Sequence, residues 1–541
     1  MKKKMQGEKH LQPKFFVNFN LAENIPEGNF YRRLKDVLDL RFLYKETEKF
    51  YGKTGQKSID PTVFFRILLV GFLENIISDR RLIDHVKMRL DLLYFLDYDI
   101  DEELPWHSTI SRTRKLYPEE LFQQMFDKVL LQCIEKGMVS GHSQAIDSAP
   151  VKANASMDSL ELKQIDVPLD EHIKNTLEQN PNPRRKAKED HSTEEDRKTD
   201  AGERKLKEIA RRKVYQAKKY KGMPGSNSKK SRYLSNDTHY SPVDPDAKVS
   251  VKPGKARQLN YHAQMAVDTK RHVITHIHAD FANKKDSQPL KRIIDELVAR
   301  LQKSDISLQE VLLDAGYSSG ENYAYLEKLG IEGYIPLHGQ FKGLQRDDGC
   351  VYEQEQDRWK CPQGKYLVFK GYRVEHRSLK KHYLTSRADC KGCPLREECI
   401  KSSHEKKINI TAYLEEYERM RKKVVSAKGQ VKKKIRSSTV EPVFGSLTNF
   451  FGMRKVNTRG IENANKSMLM SAIAYNLKKM LKFNHNKVIS KANQAVFLSS
   501  KWLNIIHRYE TNAIKTLLKG LLNLATTQTT FRMSFVLLYK N

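Results

Sequence analysis

Three acidic residues are placed where they could build a metal-assisted site acting on phosphodiesters. Asp147 lies near the end of an extended stretch, Val139 to Ala149, and Asp314 follows the short apolar run Val311-Leu312-Leu313. Acids at or near the carboxyl ends of strands sit where open α/β sheets hold their ligands. Glu441 lies in Ser438-Thr439-Val440-Glu441-Pro442-Val443-Phe444-Gly445. There Thr439 reads as a helix cap and Pro442 falls in the first turn, where its missing N–H costs little. Carboxylates brought together repel unless a cation neutralises them, so such a cluster calls for Mg²⁺ or Mn²⁺. Two such ions can activate a water or a 3′-hydroxyl and stabilise the leaving oxygen of a phosphodiester. The spacing of the three acids carries no pattern by itself, and a lone aspartate ending a strand is more often a turn or cap residue.

Other side chains offer other chemistry. Cys361, Cys390, Cys393 and Cys399 comprise one C-x2-C pair and two flanking thiols, which could hold a structural Zn²⁺ or simply pack as reduced thiols; Cys350 and His404 are further donors. His272, His276 and His278 share a face of a strand and His262 lies on its neighbour. With no carboxylate partner evident, they read as an exposed or hydrogen-bonded sheet face, His278 near enough to the sheet end to border the acids. No GxxxxGK[ST] phosphate loop is present, so ATP-driven chemistry has no support.

The elements that must carry these groups follow from pattern. Residues 1–138 read as helical. Asp60 and Pro61 open a helix with Phe64, Ile67, Leu68, Phe72 and Ile76 on one face. A second start is expected at Ser78-Asp79, and Ser108 or Thr109 is expected to cap a short helix carrying Arg112, Arg114 and Lys115. From 139 onward, strands at Leu259 to Asp268 and His272 to Ala279 form a hairpin. Asp286-Ser287 reads as the cap of a helix with Leu290, Ile293, Ile294, Leu297 and Leu301 on one side, and a helix near Gly320 to Leu329 and a strand at Tyr334 to Pro336 come next. The result is a mixed α/β sheet, residues 139–482, interrupted by a basic, core-poor insertion at about 152–256 and a Cys-containing one at about 340–427. A helical tail, 483–541, has apolar residues around Leu517, Leu518, Leu521 and Leu522 and no assignable role.

Composition narrows the partner. Lys and Arg number 97 against 66 Asp and Glu, a formal net charge of +31, which suits a polyanion such as nucleic acid. Six cysteines in 541 residues do not suggest a secreted disulfide framework. The most apolar run, Phe64 to Ile77, contains Arg66 and Glu74 and is too short to cross a bilayer, so a cytoplasmic protein is expected.

The motifs resemble those of a known family. Val311-Leu312-Leu313-Asp314-Ala315-Gly316-Tyr317-Ser318-Ser319 is similar to the D-x-G-Y signature around the second acid of insertion-sequence DDE transposases. Val440 to Gly445, with Arg454, Arg459-Gly460 and Ala474-Tyr475-Asn476-Leu477, resembles the third-acid region, and Ile146-Asp147-Ser148 with Lys152-Ala153-Asn154 the first. Pro61 to Arg81 and Pro105 to Arg112 resemble the helical domain that precedes the core. The resemblance implies an RNase H-like catalytic core behind an all-α domain that recognises element ends. It also implies binding of double-stranded DNA (terminal inverted repeats and target), a homodimer pairing two ends, nicking, and strand transfer by the freed 3′-hydroxyl. Asp147 would bridge two metal ions, Asp314 would ligate one and Glu441 the other. Arg112 and Arg114 would contact DNA, and Arg436, Arg454 and Arg459 would clamp phosphates. Relatives often carry Tyr-x-x-Arg before the glutamate and Lys seven residues after it; here Arg436 precedes Glu441 by five and position 448 is Thr. A nuclease that cuts without joining, and an inactive DNA-binding relic of a mobile element, are the alternative readings.

Overall fold

The computed structural model describes residues 19–163, 235–250 and 257–506 apart from 53, 55–57, 237, 340, 342, 376–377 and 401–402, with the backbone alone from 484 onward. Most of the basic insertion and the Leu517–Leu522 segment lie outside the described residues. The chain divides into two units, residues 1–117 with 477–541, and residues 118–476.

The first unit contains helices α1 (Leu21–Asn24), α2 (Phe30–Val37), α3 (Phe42–Thr47), α4 (Pro61–Leu73), α5 (Asp79–Lys87), α6 (Leu90–Leu96) and α7 (His107–Leu116). Helix α4 starts as its sequence dictates: the Asp60 side chain accepts from the N–H groups of Thr62 and Val63, and Pro61 fills the first turn. It is apolar nearly all round and therefore buried, with Phe64, Phe65, Ile67 and Leu69 fully covered. The helix stops at Leu73, and Asn75 takes a left-handed conformation, so Ile76 lies beyond the expected stripe. Helix α7 begins earlier than expected, capped by Trp106 without a side-chain bond, which places Ser108 and Thr109 inside its first turn.

The second unit opens with α8 (Glu119–Glu135) and is built on a six-stranded sheet. Its strands are β1 (Ser143–Lys152), β4 (Lys248–Ser250), β5 (Gln258–Asp268), β6 (Ile274–Phe281), β7 (Glu310–Leu312) and β8 (Glu332–Tyr334), while β2 (Glu161–Leu162) and β3 (His239–Tyr240) form a separate pair. The order is β4-β5-β1-β7-β8, with β6 also on β5; β1 runs antiparallel to β5 and parallel to β7. Helix α9 (Leu290–Gln302) covers one face, where Leu290, Ile293, Ile294 and Leu297 meet Ile146, Ala266, Val311 and Leu313. After α10 (Gly320–Lys328), the chain forms an antiparallel sheet of β9 (Val351–Glu353), β10 (Arg358–Lys360), β11 (Tyr366–Glu375), β12 (Ser378–Leu384) and β13 (Lys407–Thr411), with a small core of Cys350, Trp359, Leu367, Tyr383 and Ile408. The region expected as a Cys-containing insertion thus has its own sheet and the short helices α11 (Arg387–Lys391) and α12 (Arg396–Ile400).

Three helices close the described chain: α13 (Leu414–Val425), α14 (Ala427–Phe450) and α15 (Ile461–Ile506). The helix carrying Glu441 does not start at Thr439 as expected. It starts at Ala427, capped by Ser426, whose hydroxyl accepts from Gly429 N–H at 3.1 Å, and it runs unbroken through Pro442. An interior proline forfeits a backbone hydrogen bond and costs on the order of 3 kcal/mol; the buried stripe Val440, Val443, Phe444 and Leu447 opposes that loss. Two asparagines of α15 complete the sheet. Asn476 bonds both the N–H and the carbonyl of Ile274, and Asn465 accepts from Ala279 N–H, so the outer edge of β6 is partnered.

The corner between α13 and α14 aims the Glu441 helix, and it requires a glycine. A Cβ on Gly429 would lie 2.3 Å from the Lys423 carbonyl oxygen and 2.5 Å from that of Val424. Gly429→Ala is expected to lose about 1–3 kcal/mol of stability, read as a lower melting temperature in calorimetry; an unchanged transition would show that the corner tolerates a side chain.

Candidate active site

The parallel register of β1 and β7 sets the first two acids side by side. Ala145 pairs with Leu312, so Asp147 and Asp314, each two residues further on, reach the same level: Asp314 lies just beyond the end of β7, but Asp147 stands midway along β1, which does not end near Ala149 as expected and continues to Lys152 against β5. Asp314 leaves β7 and caps the turn Ala315–Tyr317, its Oδ1 accepting from Gly316 N–H at 3.0 Å. Burial first, and then the Asp314 carboxylate, push Asp147 from an ordinary 3.8 up to about 6. Burial and the Asp286 carboxylate raise Asp314.

Side chains alternate along a strand. Since Ile146 packs under α9, Asp147 faces the opposite layer, where α14 packs on the sheet and supplies Arg436. The Arg436 guanidinium donates to Asp147 Oδ2 at 3.0 Å and to Glu441 Oε1 at 3.4 Å, so one cation links the first and third acids. Position 436 can reach both because α14 is continuous: 436 and 441 lie little more than one turn apart. The Glu441 side chain is 61% exposed, so it reaches the cluster from the solvent side. Arg436, expected to clamp phosphate, is occupied with carboxylates in this state.

Asp286 is a fourth acid at the same place, on the α9 side. Its Oδ1 accepts from Ser148 Oγ at 2.6 Å, and a Cβ on Gly316 would lie 2.9 Å from its Oδ2 and 3.1 Å from Asp314 Oδ1. Glycine at 316 therefore leaves a cradle between two carboxylates that any side chain would fill. Beneath it, the buried Tyr317 hydroxyl donates to Gln264 Oε1 at 2.8 Å; burial and the charges of Asp286, Asp147 and Asp314 hold this phenol far above its usual range. The sequence predicts Asp286 as part of a helix cap. Helix α9 begins only after Pro289, with no side-chain cap, and nothing in local sequence marks Asp286 as anything but a turn residue. The donor set is all oxygen, which suits a hard divalent cation such as Mg²⁺ or Mn²⁺; among the described residues no three of these acids bring their oxygens within 4.8 Å of one another, so an ion would have to draw them together.

The other candidate metal sites fare differently. The cysteines do not gather as zinc would need: no group of three or more metal-capable side chains among the described residues includes a cysteine. Cys350 is buried in the small sheet's core and Cys361 packs at its border, while Cys390 Sγ contacts Thr385 Oγ1 at 3.1 Å. Of the two alternatives for the histidines, His276 and His278 take the hydrogen-bonded one and not the exposed one. His276 and His278 are buried and Glu296 of α9 comes to them, a carboxylate that sequence spacing did not show; His272 lies in the turn at positive φ, off the strand. Arg300 nevertheless donates to His276 Nδ1 at 2.6 Å. An arginine can only donate, so the His276 proton sits on Nε2 and points to His278 Nδ1, 2.8 Å away. Burial holds both rings neutral, with His278 near 3, and the guanidinium opposes a cation there.

The basic residues divide likewise. Arg114 is buried and forks onto Asp79 at 2.7 and 2.9 Å, so it fastens α5 to α7 and is not presented to DNA. Arg112 is exposed on α7. Arg454 and Arg459 are exposed, and Arg454 lies in a segment bonded along the end of β1 through Lys152 and Val456.

The shift at Asp147 has a thermodynamic signature. A folded value above the ordinary one means that protonation favours the fold, a stabilisation complete below about 4 and lost as pH rises to about 6. In metal-free buffer, Asp147→Asn escapes that loss and is expected to be more stable than wild type by about 1–3 kcal/mol at pH 7.5, the two converging near pH 4. Equal melting temperatures at both pH values would contradict the crowding of carboxylates at this position.

Two family comparisons bear on the chain. Residues 19–116 match the family described as Transposase domain (DUF772), and residues 360–481 match Transposase DDE domain. The second match contains Arg436 and Glu441 and begins within the small sheet, while Asp147 and Asp314 precede it. No curated protein matches the chain. No described helix is long and apolar enough to cross a membrane. A transposase-domain match over the helical region, a mixed sheet with acids along one level, and a DDE-domain match over residues 360–481 support an insertion-sequence DDE transposase, whose DDE domain implies an RNase H-like core.

Proposed function

We propose that the chain cleaves DNA at the ends of its element and joins the freed 3′-hydroxyl to target DNA, with Asp147, Asp314 and Glu441 holding Mg²⁺ or Mn²⁺. The observation that carries this reading is the convergence of the three acids: Asp147 and Asp314 level on adjacent parallel strands, and Glu441 tied to Asp147 through Arg436. Bound divalent cations would activate the attacking oxygen and offset charge on the scissile phosphate.

The chain's own residues supply positioning and charge. The buried strands fix Asp147 and Asp314, whereas Glu441 sits on a solvent-facing helix and approaches from the side on which DNA must lie. Arg436 neutralises Asp147 and Glu441 in the absence of metal; released from them, it stands within a side chain's reach of the same phosphate. Arg454 and Arg459 would hold the DNA backbone beyond the end of β1, and Arg112 on α7 would contact the element end, with Arg114 anchoring that helix through Asp79. Such phosphate contacts weaken steeply with salt. Pairing of two ends by a homodimer belongs to the same reading.

The test uses the DNA flanking the gene, with its inverted repeats as substrate, and a supercoiled target plasmid. Asp147→Asn, Asp314→Asn and Glu441→Gln are each expected to reduce end cleavage in Mg²⁺ by 10³-fold or more, about 4 kcal/mol of barrier, while retaining end binding in a gel-shift assay. Wild-type cleavage by any one of them would remove that acid from the site. Cleavage without joined products in the wild-type reaction would instead favour a nuclease.

A further inference from the structure

We propose that Asp286 is a fourth carboxylate ligand of the cation site, sharing the ion of Asp314, and that Ser148 orients it. The inference rests on the reading that the acids at the end of the sheet hold divalent metal.

The two oxygens of Asp286 have separate assignments. Oδ1 is fixed by the Ser148 hydroxyl at 2.6 Å, and Ser148 directly follows Asp147 on β1. Oδ2 lies against the space over Gly316, and so does Asp314 Oδ1. Ser148 and Asp147 point to opposite faces of the sheet, so Asp286 approaches from the α9 face and Arg436 from the α14 face. Both reach the middle of β1, level with Asp314 just beyond the end of β7.

Structural duties do not account for this carboxylate. Helix α9 takes its cap at Pro289, and among the described residues no Lys, Arg or His forms an ion pair with Asp286. Asp280, six residues earlier, is by contrast paired with Lys284 at 2.7 Å. A carboxylate beside that of Asp314, with no cation paired to it, lowers stability unless a cation joins them. Access exists as well: Asp286 and Gly316 line an open groove of about 920 Å³ together with Ser319, Glu321 and Lys291. Asp147, Asp314 and Glu441 do not line that groove, but Gly316, against which Asp314 Oδ1 is set, does. A cation can thus enter on the α9 side, and Lys291 offers a counter-charge for a phosphate following it. Two divalent ions carry four positive charges, and Asp147, Asp314, Glu441 and Asp286 balance them before any phosphate arrives.

The experiment is a Mn²⁺ titration of the full-length protein at pH 7.5, by calorimetry and by the electron paramagnetic resonance of free Mn²⁺, with no DNA present. Asp286→Asn is expected to weaken Mn²⁺ binding about ten-fold or more, as is Asp314→Asn, while Glu321→Gln, which removes a charge from the same groove, changes it less than two-fold. Ser148→Ala, which frees the carboxylate without removing it, is expected to weaken binding about ten-fold, the low end of the range for an outer-shell partner. Should Asp286→Asn fail to fold by circular dichroism, Ser148→Ala decides. Unchanged affinity in Asp286→Asn beside a loss in Asp314→Asn would overturn the fourth ligand and leave the three-acid site standing. Mn²⁺ binding that is absent in the wild type, or indifferent to Asp314→Asn, would overturn both.

Discussion

Carboxylates held close together in a partly dry site repel one another, and that repulsion organises the second unit of this chain. Buried strands leave Asp147 and Asp314 no room to move apart, since their level is fixed by the β1–β7 ladder. Burial raises both acids, and a neighbouring carboxylate raises each further, Asp314 beside Asp147 and Asp286 beside Asp314. Compensation must come from a positive charge, and in the absence of metal it comes from Arg436.

The supporting structure keeps the acids in place by several independent means. Helix α9 packs its leucines and isoleucines under β1, β5 and β7 and rigidifies the strands that bear the aspartates. Helix α14 lies on the other face and carries both Arg436 and Glu441, so neutralising charge and third acid move as one body. Glycines at 316 and 429 are backbone solutions to crowding, the first by carboxylates and the second by carbonyls of the preceding helix. Asp268 shows the same economy away from the site. This buried carboxylate accepts from the N–H groups of Ser140, Gly141 and Lys270 and from the Gln144 amide, fastening the loop that enters β1.

The first unit shows how a buried cation differs from an exposed one. Arg114 and Arg112 are two residues apart on α7, yet they face different directions, one into Asp79 and one into solvent. Sequence treats them alike, because both are basic residues on a short helix. Only the helix phase against its neighbours separates a structural ion pair from a surface open to a polyanion.

Local chemistry determined much of this protein in advance. Asp60 and Pro61 announced α4, and the two extended runs around a short polar turn announced β5 and β6, because caps, turns and strands are settled within a few residues; Asp314 was marked instead by the resemblance of its surroundings to the D-x-G-Y signature. The tertiary structure alone decided the rest. It carried α14 through Pro442, since burial of Val440, Val443, Phe444 and Leu447 outweighs one missing hydrogen bond. It brought Asp286 to Ser148 across 138 positions, Glu296 to the histidines, and Arg436 to Asp147 across 289, while leaving the cysteines apart. Convergence over such separations is fixed by strand register and helix packing, which no short window of residues contains.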